Sequence, residues 1–481
     1  MLKSLGKSAA VYGGADLLFK LMQLAVLPVY ARLLTVADFG VMALLTVSAT
    51  LLGILANLGT SYAVTRYYFD KSVGPERRPL LVSTGLIQLV LNGIVIVGAA
   101  GLILSATHEG VERAYGIPLS LLLLVLATVL PDQIAQYSLD TSRLQFAPYQ
   151  FFLIAMLKNL VGLLLGLWLI AGVGMGIAGY FAGALIGSGA AGAIGLWLIR
   201  RDLVPRFDPA LFRQIIGFGS PFVFTAAAYW VFGSIDRWLL IELSDAVEVG
   251  LFSIALKFAS GLNLLVAAFH QAWIPVAMRM AAEEERYREV FARVFSGWFF
   301  LLAFVALGLA LFAEEIMKLL TPAAYWPAAP ALAVGAAAVA VSGTTQMTTL
   351  GLTLEKRTGL LAAGAWTGAA ANVALNLLLI PHLGAVGSAL ATLLTYSLLT
   401  LLFLRWSQRL HPLPLETGKL LYGCAIVAVA AAAPFFGAGG GLASLAAKAG
   451  LLALAFVGAF ATGIIGTERY RQLFLRAERP T

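Results

Sequence analysis

RYYFDKSVGPERRPLLVSTGLIQLVLNGIVIVGAAGLILSATHEGVERAY (66–115) is the stretch that decides the fold. It opens on Arg66, Lys71, Arg77 and Arg78, then runs from Leu80 to Leu104 without a charge, and closes on a short segment whose one cation is Arg113. A helix rises ~1.5 Å per residue and the hydrocarbon core is ~30 Å thick, so this uncharged run is long enough to cross a bilayer. Cation-rich connections stay in the cytoplasm. The basic end is therefore the inner end, and the segment around Arg113 is an outer connection.

The same alternation organises the rest of the chain. Apolar spans read at 8–33, 38–63, 80–104, 116–139, 149–171, 175–199, 214–239, 248–275, 291–313, 326–350, 358–380, 385–405, 418–435 and 443–465. With both termini on one face, 24 of the 32 Lys and Arg fall on that face, and only Arg113, Lys318 and Lys448 fall in connections on the other. Both ends are thus expected in the cytoplasm, with the chain threading the inner membrane. Trp168, Trp238 and Trp326 lie near outer ends, and Trp197, Trp273 and Trp406 near inner ends, as an interfacial aromatic belt requires. Hydrophobic residues make up 60% of the chain and charged residues 12%; mean hydropathy is +0.90. This is an all-α polytopic membrane protein of about fourteen transmembrane helices.

Net charge is +8, and the inner-face bias accounts for it without nucleic acid. The single cysteine, Cys424, excludes an intramolecular disulfide. The first apolar stretch lacks a convincing cleavage site and reads as the first helix rather than a signal. Outer connections reach only about a dozen residues (105–115 and 314–325), which leaves no extramembrane catalytic domain. No metal-ligand cluster, phosphate loop or nucleophile triad is present, so neither a cofactor nor an enzyme activity is expected.

Markers recur at a nearly constant offset. Arg66 matches Arg279, Arg143 matches Lys356, Asn159 matches Asn372 and Gly174 matches Gly387, all 213 residues apart; Asp38 and Gly40 match Glu248 and Gly250 at 210. The expectation is a duplicated six-span unit, lobes 1–213 and 214–410, followed by an appendix, 411–481, holding two further helices. An even span number makes the repeat parallel, related by an axis along the membrane normal, the design of alternating-access transporters.

LPVYARLLTVADFGVMAL (27–44), NLGTSYAVTRYYFD (57–70), SIDRWLLIELSDAVEVGLFSIALKF (234–258) and ANVALNLLLIPHLGAVGSALAT (371–392) carry a resemblance to a known family. With the 6 + 6 + 2 arrangement, they resemble the multidrug/oligosaccharidyl-lipid/polysaccharide flippase superfamily, and within it the Wzx-type polysaccharide biosynthesis proteins. The resemblance implies a MATE-like alternating-access fold that moves undecaprenyl-diphosphate-linked oligosaccharide from the inner to the outer leaflet, for cell-surface polysaccharides such as O-antigen. It implies membrane lipids, a polysaccharide polymerase and glycosyltransferases as partners, and a monomer. In lipid II flippases, helices placed like the last two border a groove for the lipid tail. A lipid II flippase is the sibling alternative, although the N-terminal motifs of that branch are absent; a multidrug exporter is the more distant one.

Five cations lie inside or at the edge of spans: Lys20, Arg32, Lys158, Arg237 and Lys257. A cation costs at least ~2.5–3.5 kcal/mol at the centre of a helix in lipid, so one shared wet cavity binding the diphosphate is the expected use for them. Asp16 and Asp236 would temper the field there and couple transport to an ion, and Asn57, Tyr229 and His270 are candidate polar lining. Each has a plainer reading. Asp16 and Lys20 sit four apart and can pair with each other, Arg32 and Arg237 can snorkel to the interface, and a lone His in an apolar helix commonly serves packing. Asp132 follows Pro131, where a kink can expose backbone, and receives no role.

Overall fold

The computed structural model describes residues 2–71, 73–283, 287–355, 357–436 and 442–464, without the side chains of 2–12, 16, 274–275, 278, 281–283, 358, 436 and 442. Every regular element among them is helical. Two compact units form, residues 1–250 and 251–481.

The first unit contains α1 (Leu2–Leu33), α2 (Val36–Asn57), α3 (Thr60–Tyr68), α4 (Gly74–Tyr115), α5 (Leu119–Leu144), α6 (Pro148–Met156), α7 (Gly162–Ala171), α8 (Gly176–Ile199), α9 (Pro209–Leu243) and the start of α10 (Ala246–Ala259). Local signals set several of these ends. Thr35 and Asp38 form a reciprocal capping box at α2, which satisfies N–H groups that a helix start leaves open. Asp208 caps α9 with Pro209 at its first position, where a missing N–H is harmless. The loop before it is stitched to α4 by Val204 N–H to Ser83 Oγ, 2.7 Å, and Asp208 N–H to Thr84 Oγ1, 3.2 Å.

α5 is the central element of this unit and uses three sectors of its surface. Tyr137 and Leu144 join Leu81, Val82 and Leu89 of α4 with Leu211 and Ile215 of α9 in one buried cluster. Ala135 and Leu139 join Phe19, Phe151, Ile154 and Ala191 in another. The remaining sector is polar. α8 packs on α7 through Gly183 and Gly187, where a Cβ would come within 2.4 and 2.6 Å of Gly166 and Gly162 backbone atoms; small residues let helix backbones meet in lipid. Gly40 and Gly250 show the same need, since a Cβ would lie 2.1 Å from Ala246 O and 2.0 Å from Val36 O respectively. These are two of the repeat markers.

The second unit holds α11 (Leu262–Glu283), α12 (Tyr287–Leu311), α13 (Ala313–Leu320), α14 (Ala329–Ser342), the short turns α15 (Thr345–Thr348) and α16 (Leu350–Leu354), α17 (Thr358–Leu410), α18 (Thr417–Ala432) and α19 (Leu442–Ala461). The two appended helices pack on this unit. α18 lies against α12 and α14, with α19 beside α12. Gly423 admits the Phe299 ring, Tyr422 Oη donates to Ala455 O at 2.8 Å, and Lys448 pairs with Glu315 of α13 at 2.5 Å.

Among the described residues twelve helices are long and apolar enough to cross a membrane, and thirteen when α10 and α11, bent by 42° at their break, count as one span. α17 is too long for one crossing at 53 residues, and Gly384 inside it has non-helical angles, φ 51° and ψ −128°. Dividing it there gives the fourteen segments read from hydropathy. Two connections differ from expectation, and one of them, 314–325, holds most of α13 (Ala313–Leu320). The segment 105–115 is also helical and continues α4 to Tyr115, where Gly116 closes it at φ 64°. Ser105 and Thr107 hydroxyls donate to carbonyls four residues back, and Glu109 pairs with Arg113 at 2.9 Å, so the polar residues are helix-compatible. The compact units divide at 250, whereas the markers place the end of the first lobe at 213; α9 packs on α2, α3 and α4 within the first unit. Compactness and duplication are separate properties, and 213 concerns the second.

Candidate substrate cavity

The polar sector of α5 is built from Asp132, Gln136, Asp140 and Arg143, spaced four, four and three residues apart, which keeps them on one helical face. That face opens into a cavity of about 750 Å³ within the first unit. α2 contributes Thr46, Thr50 and Asn57, α3 contributes Ser61, Tyr62 and Thr65, α8 contributes Tyr180 and Ser188, and α9 contributes Phe222. Most of these residues lie within spans, where an unsatisfied polar group is expensive. The lining accordingly forms a connected network.

Asn57 Nδ2 donates to Ser61 Oγ at 3.1 Å and to Gln133 Oε1 at 3.3 Å. The Ser61 hydroxyl bonds Asp140, which also accepts from Gln136 Nε2 at 3.1 Å and faces Arg143 at 3.8 Å. Lys158 Nζ pairs with Asp132 at 2.9 Å and approaches Gln136 Oε1 at 3.5 Å. The Arg143 guanidinium lies over the Phe151 ring, 4.5 Å from its centroid. Tyr62 and Phe222 stack at 5.2 Å with their planes 16° apart, and both rings remain exposed.

Lys158 reaches Asp132 from an unusual turn. Residues Leu157–Val161 form a π-helical segment between α6 and α7. Such an i→i+5 turn inserts a residue into the α register and is frequent at functional sites. The plain 3.6-residue period of the sequence does not reveal it.

The sequence candidates are distributed as follows. Asn57 lines the cavity. Lys158 touches its wall through Asp132, which the sequence reading left without a role. Lys20 and Arg32 are exposed on α1. Arg237 is partly buried on α9 and donates to Gly233 O at 2.9 Å, beside the fully buried Asp236. Tyr229 is half exposed on the same helix. In the second unit, Lys257 is partly buried on α10 with its carbonyl accepting from Ser260 Oγ at 2.6 Å, and His270 bonds the backbone of Gly343. Asp16 and the repeat marker Lys356 lie outside the described side chains. Gln133, Gln136 and Asp140 were missed, although the 132, 136, 140 spacing within an otherwise apolar span was a readable signal.

No curated protein matches the chain in sequence at a significant level. Solved structures resemble it in fold. A lipid II flippase, MurJ, in an inward closed conformation aligns with a TM-score of 0.68 at 14% identity, covering 98% of each chain. An inward-facing multidrug resistance transporter of the MATE family, of the MOP superfamily, gives 0.62 at 13%, covering 83% of this chain and 94% of its own. A MATE in its straight conformation gives 0.56 at 14%, covering 85% and 95%. At these identities the likeness is one of fold, and that fold is the MATE-like one. The family model for polysaccharide biosynthesis proteins matches residues 5–281, more than half of the chain, and the protein belongs to that family.

Proposed function

We propose that this protein is a flippase that carries a polyprenyl-diphosphate-linked oligosaccharide from the inner to the outer leaflet of the cytoplasmic membrane by alternating access, for assembly of a cell-surface polysaccharide. Family membership across residues 5–281 carries the reading. The polar cavity supports it, because a hydrophilic head cannot cross hydrocarbon unaided and needs hydrogen-bonding groups at membrane depth. Lys20, Arg32, Arg237 and Lys257 are the proposed ligands of the diphosphate, for which Lys and Arg supply charge-assisted hydrogen bonds. Lys158, which pairs with Asp132 at 2.9 Å, is proposed as the fifth. Asp16 and Asp236 are the proposed coupling carboxylates. Both termini are proposed to lie in the cytoplasm, and α18 and α19 to border the lipid tail. The protein is proposed to act as a monomer, supplied by glycosyltransferases and delivering to a polymerase.

The test is reconstitution. Purified protein in liposomes should expose an inner-leaflet polyprenyl-diphosphate oligosaccharide to an external glycosidase, and Lys20→Ala or Lys257→Ala should abolish this while Lys20→Arg or Lys257→Arg retains part of it. Protein-independent exposure, or full activity of both alanine variants, would overturn the reading. The full-length fold match to MurJ favours one second reading, with lipid II as the cargo. Depletion separates the two, since loss of lipid II transport lyses the cell and loss of polysaccharide transport strips its surface.

A further inference from the structure

We infer that the cavity of the first unit is a recognition site for uncharged sugar rings of the head group, those bearing hydroxyl or acetamido substituents, and that it selects against uronic acids. The inference rests on the flippase reading above and adds what part of the cargo this cavity takes.

Charge is the first observation. The charged groups facing the cavity are Asp132, Asp140 and Arg143, with Lys158 behind Asp132. Lys158 is paired with Asp132 at 2.9 Å and Arg143 faces Asp140 at 3.8 Å. Among the described residues the two cations are thus matched by two carboxylates, which leaves no excess positive charge for a diphosphate or a sugar carboxylate. An anionic substituent placed here would meet Asp132 and Asp140 as well as Arg143, so repulsion from the carboxylates offsets the attraction of the one lining cation.

The second observation is the kind of polar group present. Carboxylates accept from two hydroxyls at once, and the amides of Asn57, Gln133 and Gln136 offer both donors and acceptors. These groups suit vicinal hydroxyls and acetamido groups. The third is the aromatic pair. Tyr62 is 59% exposed and Phe222 39%, and both stacked rings line the same cavity. A pyranose ring has an apolar C–H face that lies well on such a surface, while its edge of hydroxyls would reach α5. The volume, about 750 Å³, falls within the ~300–1,000 Å³ typical of small-molecule pockets.

Binding to the full-length protein in detergent tests this with three probes. They are a short-chain polyprenyl diphosphate alone, the same lipid bearing a glucose–N-acetylglucosamine disaccharide, and the same lipid bearing a glucuronate-containing disaccharide. The readout is the affinity ratio of each glycan-bearing lipid to the bare lipid. The neutral disaccharide should tighten binding by about tenfold, equivalent to one or two net hydrogen bonds, and the glucuronate probe by much less. Tyr62→Ala and Gln133→Ala should each bring the neutral ratio toward one, with folding checked by thermal unfolding. Asp132→Asn uncovers the Lys158 ammonium and should shift preference several-fold toward glucuronate, a gain that a purely structural residue would not produce. Bare-lipid binding with no glycan increment, a wild-type preference for glucuronate, or an unchanged ratio in the variants would overturn this inference and leave the flippase reading standing. Failure of all three probes to bind would overturn that reading, and this inference with it.

Discussion

Lys158 and Asp132 are 26 residues apart in sequence and 2.9 Å apart in space. The lysine side chain is 19% exposed and the aspartate 43%, so the pair is neither a solvated surface bridge nor a fully dry one. Breaking a buried pair costs several kcal/mol and an exposed one almost nothing. Lys158→Met should therefore cost about 1–2 kcal/mol, because Asp132 keeps some access to water. The Asp132→Asn/Lys158→Met double variant should recover most of that loss in a thermal unfolding cycle. Asp208 offers a second case outside the bilayer. Its carboxylate is held below the usual range chiefly by the Ala210 N–H, with the Leu211 N–H and Arg77 adding to the effect. A depressed folded pKa gives stability that is present above the unfolded value of ~3.9 and is lost as pH falls through the lower folded value. The unfolding midpoint of the wild type should thus fall more steeply below about pH 4 than that of Asp208→Asn.

At the scale of elements, two local departures from the α-helix decide where side chains and spans fall. The π turn at Leu157–Val161 carries Lys158 to Asp132. Gly384 cuts a 53-residue helical run at φ 51°, ψ −128°, a region open to glycine and strained by ~1–3 kcal/mol for other residues. Gly384→Ala should lower stability by about that amount, read as a fall in thermal midpoint and in yield of folded protein. A comparable substitution at Gly359, where nothing lies within 4 Å, should be near neutral. α4 shows the opposite tendency. Its polar C-terminal end continues as helix because Ser105, Thr107 and the Glu109–Arg113 pair satisfy themselves within it.

For the whole molecule, orientation is the property that the charge distribution bears on most directly. Cys424 is the single cysteine, so a Cys424→Ala background makes labelling simple. A cysteine at position 113 should react with an impermeant maleimide added to intact cells, and one at 206 only after permeabilisation. The reverse pattern would invert the proposed topology. The appendix α18–α19 is anchored on the second unit by Lys448–Glu315 at 2.5 Å and by the Phe299 ring against Gly423. A photoreactive polyprenyl chain should therefore label it in preference to α1.

The class of the protein, its span positions and the cation bias from one set of connections to the other were legible in sequence. The bilayer acts as a solvent on each segment separately, demanding apolar length and one-sided cations whatever the neighbours do. The site was legible only in fragments. Asn57 and Lys158 were recognised as polar intrusions, but not that they share one network with Gln133, Gln136 and Asp140, nor that Lys158 arrives already paired. Between helices in lipid there is no hydrophobic drive that hydropathy could report. Which faces meet is decided by close packing, such as Gly183 against Gly166, and by hydrogen bonds across helices. A π turn changes the facing of everything after it, and only the tertiary structure contains that information.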